Sequence, residues 1–319
     1  MMKLLKDEVI LAPMSGVTNE PFRLSLKELG VKVTFTEMVS ADGLSRKINK
    51  TMDMIKIIKE PPVIIPQLFG NNSEILLKAT EILVYNGFKI VDLNLGCPAK
   101  KIVKKGCGVA LMKEPEKVKK IIIKLKKEFP YIHFTVKMRL GYDETSENYL
   151  EIADILYNEG ISAITLHPRY GKQYYSGKAN WEKIKILKEK FKNLFVIGNG
   201  DVKTPEYIDK IFNFTNCDAV MIGRGFLENP FLKIQWDEFK EKREYKKFTL
   251  KDKISYFKKL FDYFRNYYGE DKALKISIKH IIHLTKGEKG SAKFRAKISK
   301  IKKCVEFFDE IMYWVENGY

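Results

Sequence analysis

The stretch KIVDLNLGCPAKKIVKKGCGVALM, residues 89–112, decides how the rest of the sequence is interpreted. Its first part is apolar and typical of a buried strand. It ends at Gly96-Cys97-Pro98, where glycine and proline prevent the sheet from continuing. A lysine-rich loop and a helix-like segment follow. The pattern places Cys97 at the carboxyl end of a strand, where parallel α/β folds carry their chemistry. This segment alone leaves open both a catalytic cysteine and a buried structural one.

Apolar runs like this one alternate with amphipathic segments along the first two thirds of the chain. We predict strands at residues 9–12, 33–37, 63–68, 90–94, 134–137, 163–167, 195–198 and 219–223. The runs are almost continuously apolar, as parallel strands covered on both faces require. Eight strands, with helices after most of them, predict a (β/α)8 TIM barrel. The alternative is a doubly wound sheet, which usually begins with a GxGxxG turn, whereas Pro13-Met14-Ser15-Gly16 follows the first strand here.

The helical segments suggest two domains. Between the strands we predict helices at residues 21–29, 73–86, 115–128, 149–159, 181–190 and 205–212, with Ser73 and Thr204 as N-caps of two of them. Residues 239–248 are charged and predicted to form a linker. Four further helices are predicted at residues 252–268, 272–284, 291–298 and 301–315. We therefore expect a catalytic barrel over residues 1–239 and a small helical bundle over residues 240–319.

The chain is strongly basic. Its 319 residues carry 58 Lys and Arg against 40 Asp and Glu, a formal net charge of +18. Residues 240–319 hold 21 basic and 11 acidic residues, a net +10, so the excess is concentrated in the predicted helical tail. This distribution favours a polyanionic partner, nucleic acid before an anionic membrane. A solvated lysine-rich surface is the alternative.

The cysteines and the apolar runs indicate where the protein works. The four cysteines show no CxxC pair and no metal-ligand spacing; they are Cys97, Cys107, Cys217 and Cys304. Free thiols in a reducing compartment and no metal site are the expectation. The N-terminus lacks a signal peptide pattern, and no apolar run reaches the about 18 residues that a membrane span needs. We expect a cytoplasmic monomer without a membrane partner.

Polar or small residues follow every predicted strand. In chain order they are Pro13, Met14, Ser15 and Gly16; Glu37, Met38 and Ser40; Gln67; Asn94, Gly96 and Cys97; Lys137 and Arg139; His167 and Arg169; Asn199, Gly200 and Asp201; and Gly223, Arg224 and Gly225. Any one of these could be a local turn, but eight in succession predict a shared site at the barrel mouth. The glycine-rich loops after the last two strands predict a phosphate cradle, with Arg224 as a charged donor.

These motifs resemble the tRNA-dihydrouridine synthases, FMN enzymes that reduce specific uridines in tRNA with NADPH. The segments that carry the resemblance are LAPMSGVTNEPFR (residues 11–23), EMVSADGL (37–44), PQLFG (66–70), DLNLGCPAKKIVKKGCGVALM (92–112), VKMRLG (136–141), ITLHPR (164–169), VIGNGDV (196–202) and MIGRG (221–225). KHIIHLTKG and FRAKISK in the tail are weaker matches. NLGCP is the most specific motif, and the wording as a whole leans toward the B-type bacterial subgroup.

The resemblance implies a role for each matched residue. Cys97, His167 and Lys137 are the implied catalytic residues. FMN is implied to lie against Pro13, Met14, Ser15, Gln67, Lys137 and His167, with its phosphate on Asn199, Gly200, Asp201, Gly223 and Arg224. Asn94 is implied to contact the target base. Lys100, Lys104, Arg169, Lys279, Lys286 and Arg295 are our predicted RNA contacts, with Lys293, Lys297 and Lys300 as further candidates. Pro168-Arg169-Tyr170 replaces the family's usual Gly-Arg-Thr, which leaves the shape of that loop open.

The implied reaction needs hydride at C6 of uracil and a proton at C5. A thiol with an ordinary pKa of about 8.5 is largely protonated at neutral pH, so Cys97 can supply that proton. A thiolate remains the alternative, because Lys100, Lys101, Lys104 and Lys105 would lower the pKa of Cys97 if they were close. The other three cysteines are interpreted as structural. Two rival functions stay open. One is an FMN barrel oxidoreductase acting on a small molecule such as a free pyrimidine, and the other is a tRNA-binding or tRNA-folding module whose barrel has lost its chemistry.

Overall fold

The computed structural model describes residues 2–56 and 63–317. Its centre is a closed barrel of eight parallel strands that pair in chain order, with the last strand pairing with the first. The strands are β1 (Val9–Leu11), β2 (Val33–Ser40), β3 (Val63–Phe69), β4 (Ile90–Leu95), β5 (His133–Met138), β6 (Ala163–Leu166), β7 (Phe195–Asn199) and β8 (Ala219–Ile222). The predicted (β/α)8 barrel is confirmed.

Helices surround this sheet and continue beyond it. They are α1 (Glu20–Lys27), α2 (Ala41–Ser45), α3 (Asn49–Asp53), α4 (Ser73–Tyr85), α5 (Lys100–Val103), α6 (Pro115–Glu128), α7 (Tyr149–Asn158), α8 (Glu182–Lys190), α9 (Pro205–Thr215), α10 (Arg224–Glu228), α11 (Leu232–Lys242), α12 (Leu250–Tyr268), α13 (Glu270–Leu284), α14 (Ser291–Ile298) and α15 (Cys304–Asn317). Short 3-10 turns cover Met2–Leu5, Gly108–Lys113 and Glu144–Ser146.

Two apolar clusters hold the barrel together. Residues such as Ile10, Ile65, Ile197 and Met221 form one cluster along the strands, and Leu5 from the first 3-10 turn joins them. The larger cluster packs the outer faces of the strands against the helices. Most strand residues are buried, as the continuous apolar runs predicted. Groups available for chemistry therefore lie on the last residues of the strands and on the loops that follow them.

The helix starts agree with the sequence in one case and differ in another. Thr204 caps α9 as predicted, because its hydroxyl oxygen accepts from the N–H of Tyr207 at 3.4 Å. The predicted cap at Ser73 is wrong. Asn72 caps α4 instead, with its side-chain oxygen accepting from the N–H of Ile75 at 3.1 Å, and Ser73 is the first helical residue.

The tail is helical, as predicted, but the predicted linker is too long. Helix α11 continues to Lys242 and so includes Phe239, whose ring centroid lies 6.2 Å from that of Trp236. Helix α12 ends at Gly269, whose φ of +79° is the left-handed region that glycine adopts without strain. The last helix begins at Cys304 and not at residue 301. No helix in the described ranges is long and apolar enough to cross a membrane.

The tail packs directly on the barrel. Helix α12 lies on α1, where the hydroxyls of Ser25 and Tyr256 are 2.8 Å apart. The ring of Phe22 on α1 contacts the buried ring of His280 on α13, with centroids 4.8 Å apart. The division into two domains stays a prediction, and its outer limits at residues 1 and 318–319 lie outside the described residues.

Candidate active site at the barrel mouth

The carboxyl ends of the strands surround a cavity of about 580 Å³. A smaller space of about 100 Å³ lies between the loops after β7 and β8, and both spaces are lined by Met14, Lys137, His167 and Arg224. The larger cavity is also lined by Pro13, Ser15, Gln67, Asn94 and Cys97, and the smaller one by Pro13, Asn199, Gly200, Asp201 and Gly223. The structure therefore brings together every residue predicted for catalysis, for the cofactor and for the target base.

A chain of hydrogen bonds leads from the barrel interior to Cys97. The buried carboxylate of Asp92 accepts from Gln67 Nε2 at 2.7 Å and from the hydroxyl of Thr135 at 2.6 Å. Gln67 Oε1 in turn accepts from Asn94 Nδ2 at 2.7 Å. Asn94 Oδ1 accepts from the backbone N–H of Cys97 at 2.9 Å. This Asp92 relay fixes which way each amide points and holds the Cys97 backbone at the cavity wall.

The surroundings of Cys97 favour the protonated thiol. Burial raises the pKa of this thiol, and a hydrogen bond from the backbone of Ala99 and the nearby cations Arg139 and Lys137 offset only part of that shift. The cations with the largest effect on the thiol are thus Arg139 and Lys137. The surroundings favour a proton donor over a thiolate.

Lys137 is an ammonium group held in the cavity wall. Its Nζ donates to Asn199 Oδ1 at 2.9 Å, and Asn199 Nδ2 donates to the carbonyl of Met221 at 2.7 Å. Burial lowers the pKa of Lys137 to about 8. The side chain of Asn199, predicted to hold a phosphate, thus positions Lys137.

His167 is neutral and has a defined tautomer. Burial and the surrounding cations hold its pKa well below the ordinary value. A guanidinium N–H of Arg169 donates to His167 Nε2 at 3.1 Å, so the ring proton is on Nδ1. This places a fixed N–H donor on His167 beside the cavity.

Arg169 does not lie where an RNA contact would. Its side chain is 1% exposed and pairs with the carboxylate of Asp201 at 2.7 Å. It also donates to the carbonyls of Ser176 and Gly177 at 3.1 and 2.7 Å. In the described structure the guanidinium cannot reach RNA, so we correct that prediction: Arg169 holds the loop and orients His167.

The loop that departs from the family pattern is well anchored. The hydroxyl of Tyr170 donates to the carboxylate of Glu147, and its carbonyl accepts from Arg139 Nη1 at 2.7 Å. Arg139 Nε also donates to the carbonyl of Gly96 at 2.9 Å. Tyr170 therefore ties the loop after β6 to the loop that carries Cys97.

The loops after β7 and β8 can hold a phosphate group. Within the described residues, the backbone N–H groups of Gly200, Asp201, Gly223 and Arg224 donate to no protein acceptor. A Cβ at Gly200 would come within 2.7 Å of Ala179 Cβ, and its φ of +131° also requires glycine. Free N–H groups beside a guanidinium fit a phosphate monoester such as that of FMN. The Asp201 carboxylate pairs with Arg169 and Arg224, so only its backbone faces an anion.

Four residues that line or support the mouth were given no specific role in the prediction from sequence. Tyr175 lines both spaces, and the guanidinium of Arg224 lies 4.8 Å from its ring centroid. Arg139 stands next to Cys97, and Asp92 begins the relay. His283 from α13 also joins Lys279 at the rim. The four-residue spacing of Lys279 and His283 was the available signal, since such residues share a helix face.

The predicted RNA contacts fall into separate groups. Lys279 lines the cavity, and its Nζ lies 3.4 Å from the carbonyl of Ser15. Lys286 pairs with Glu228 at 3.2 Å, and Arg295 Nη1 donates to the hydroxyl of Ser291 at 3.2 Å. Lys100 and Lys104 line an adjoining groove.

Among the other cysteines, Cys107 and Cys217 are buried and Cys304 is half-buried.

A closed parallel barrel with a polar cavity at its carboxyl end is the architecture of a barrel enzyme. The family model for dihydrouridine synthase (Dus) matches residues 10–315. The chain is 34% identical over 298 residues to the tRNA-dihydrouridine synthase B of Pasteurella multocida, covering 93% of this chain and 89% of that protein. It is 28% identical over 318 residues to the protein of that name from Salmonella typhimurium, covering 98% of this chain and 97% of that one.

The chain belongs to the dihydrouridine synthase family, and it is an oxidoreductase. More distant solved structures share the fold alone. The histamine dehydrogenase from Rhizobium sp. 4-9 superposes with a TM-score of 0.59 at 13% identity, covering 75% of this chain and 47% of that one. A 2-naphthoyl-CoA reductase superposes with a TM-score of 0.58 at 10% identity, covering 73% of this chain and 50% of that one.

Proposed function

We propose that this protein reduces specific uridines in tRNA to 5,6-dihydrouridine, with FMN as bound flavin and NADPH as reductant. The observation that carries the proposal is the continuity of the site. The phosphate cradle, Lys137 and the protonated thiol of Cys97 line two spaces that share Met14, His167 and Arg224. The family membership supports uridine as the substrate. The net charge of +18 supports a polyanionic one.

Each residue of the site has a stated task in this proposal. FMN, held through its phosphate by the cradle and Arg224, would supply hydride for C6 of uracil. Cys97 holds the proton that C5 receives, and burial keeps that proton in place at neutral pH. The ammonium of Lys137 offsets negative charge that develops in the cavity. Asn94, whose amide orientation is fixed by Gln67, would contact the uracil.

The test is dihydrouridine formation in a tRNA transcript with NADPH, read by mass spectrometry as a gain of two hydrogens. We expect Cys97→Ala to leave flavin binding and NADPH oxidation intact. Its uridine reduction should fall by about 10²–10⁴-fold, because a general acid contributes that much. Cys304→Ala, on the last helix, is the matched control and should behave as the wild type. Full turnover by the Cys97 variant would remove the acid assignment.

Two further measurements test the rival functions. Reduction of free uracil in place of tRNA would support a small-molecule oxidoreductase, and purified protein without flavin absorption would support a binding module. We further propose that the enzyme works in the cytoplasm, which its four unpaired thiols support. Its action as a monomer stays a prediction that sedimentation analysis checks.

A further inference from the structure

A second groove, of about 240 Å³, adjoins the active-site cavity. Lys100, Lys104 and Lys172 line it together with the rings of Tyr142 and Tyr174. Pro98 and Tyr174 line both this groove and the cavity that holds Cys97. A strand whose target base occupies the cavity can therefore pass from it across Tyr174 into the groove. We call this space the lysine groove.

Tyr174 has an unusual backbone at the rim of the lysine groove. Its φ of +52° lies in the left-handed region, which is costly for a bulky aromatic residue. The conformation is maintained by hydrogen bonds, including one from the N–H of Tyr174 to the carbonyl of Gly171 at 3.1 Å. The N–H of Gly171 in turn donates to the carbonyl of Gly141 at 3.0 Å. The loop thus fixes the position of an aromatic residue beside the active site, and this residue is 44% exposed.

The ring of Tyr174 and two of the three lysines that line the groove are available to a ligand. Across residues 2–56 and 63–317, the ring of Tyr174 stacks on no aromatic side chain and faces no cation. Lys100 and Lys104 are exposed and form no ion pair within those ranges. Lys172 pairs with Asp143 at 2.8 Å. An exposed ring among ammonium groups is the combination that binds single-stranded nucleic acid, because bases stack and phosphates attract cations.

We propose that the lysine groove binds one nucleotide of the RNA strand adjacent to the target uridine, with its base on Tyr174 and its phosphate near Lys100 and Lys104. This inference rests on the proposed function and gives it a defined substrate subsite. A nucleotide held there fixes the strand on one side of the extruded uridine. The groove floor is preformed, since a Cβ at Gly171 would come within 2.8 Å of Val109 Cγ1.

The test combines a protein variant with an RNA variant. tRNA transcripts carry an abasic residue on either side of the uridine that the wild type reduces, and KM for each is measured with the wild type and Tyr174→Ala. We expect Tyr174→Ala to raise KM for intact tRNA by about 5- to 100-fold, the range found for one base–aromatic stack. For the wild type, one of the two abasic transcripts should show a rise in KM equal to that caused by Tyr174→Ala on intact tRNA. For Tyr174→Ala, the same transcript should show no further rise in KM.

Two controls separate base stacking from a general loss of structure. Tyr174→Phe keeps the ring and should retain the wild-type KM for tRNA, and flavin reduction by NADPH should be unchanged in both variants. The groove assignment is overturned if KM for tRNA is the same in Tyr174→Ala and the wild type. It is also overturned if the increases in KM caused by the substitution and by the abasic residue multiply, or if KM for NADPH rises instead. A wild type that makes no dihydrouridine overturns the proposed function and the groove with it. An active wild type with an unaffected Tyr174→Ala overturns the groove alone.

Discussion

The carboxylate of Asp92 lies at the start of the relay that ends at Cys97. Its two oxygens accept from Gln67 and Thr135 at 2.7 and 2.6 Å, and no part of the side chain is exposed. Burial raises its pKa to about 6, although both hydrogen bonds favour the ionised form. A buried charge at that position is costly, and its evident use is to orient the amide of Gln67.

The Asp92 relay gives the first prediction. In Asp92→Leu the Nε2 group of Gln67 loses its acceptor, and an unpaired buried donor costs about 1–3 kcal/mol. We expect uridine reduction to fall by roughly 5- to 100-fold, because the amides that hold Cys97 can then turn. Asp92→Asn is the matched control: its side-chain oxygen can still accept from Gln67, so its rate should stay within a few-fold of the wild type. Steady-state rates of dihydrouridine formation test this prediction, with flavin absorption as the folding control. Equal rates for the two variants would contradict the relay.

The pKa of Lys137 gives the second prediction. Because burial lowers it to about 8, the side chain is cationic below that pH and neutral above it. A bound anion raises the value, so the change occurs at pH 8 or above. We expect the rate of flavin reduction by NADPH to fall as the pH rises through this range, measured by stopped-flow absorbance. In Lys137→Arg the guanidinium remains charged, and the fall should disappear. A wild-type rate that is flat to pH 10 would count against the assignment.

The sequence predicted which residues meet at the mouth but not how they pair. Cys97 lies two residues beyond β4, and Lys137 is the second-last residue of β5, so the closure of the barrel determines their placement. Arg169 was predicted to contact RNA. Its partner Asp201 is 32 residues further along the chain, on the next strand exit, and no local pattern indicates such a pair. Tyr175 was missed for the same reason, since its partner Arg224 lies on the last strand exit.

Helix α4 shows how a local rule selects between two neighbouring residues. Both Asn72 and Ser73 are good capping types, and the structure uses Asn72. We expect Asn72→Ala to lower the free energy of unfolding by about 1 kcal/mol, because the N–H of Ile75 loses its acceptor. Ser73→Ala, one residue into the helix, should change it by only a few tenths of that value. Urea denaturation of both variants tests this, and a larger effect at Ser73 would refute the assignment.

The elements themselves were largely predictable because their signals are local. The predicted strands agree with the observed ones to within about a residue, except that β2 extends to Ser40. The register of its pairing with β3 shifts between Phe35 and Met38. The periodicity of apolar residues in the sequence does not indicate such an irregularity. The predicted linker was too long because residues 239–242 are mostly charged and yet helical, with Phe239 near Trp236.

At the scale of the molecule, the tail is both strongly basic and packed on the barrel. The tail carries a net +10, yet Phe22 and His280 join it to the barrel through a buried contact. Deleting residues 245–319 would remove His280 and uncover Phe22 on the barrel, so a loss of tRNA binding in such a variant could not be assigned to the lost charge alone. Charge reversal on the tail surface leaves the packing in place and is the cleaner experiment.

The double variant Lys293→Glu, Arg295→Glu gives the prediction at this scale. If both side chains lie on phosphates, tRNA affinity falls, and the slope of log Kd against log salt decreases by about 1 for each lost contact. Lys192→Glu is the control, because Lys192 precedes β7 and so lies at the amino end of the barrel, away from the mouth. Fluorescence anisotropy with labelled tRNA across a salt series measures both. An unchanged slope in the double variant would exclude these two residues from the interface.

The contribution of α13 to the barrel mouth has a consequence for how the enzyme matures during synthesis. The sheet can close once Ile222 has left the ribosome, since β8 pairs with β1. Lys279 and His283, which complete the rim, are translated later, and ribosomes add about 5–20 residues per second. For several seconds the nascent chain can therefore hold a closed barrel whose mouth lacks one wall. Translation itself therefore delays the completion of the barrel mouth until α13 has been made.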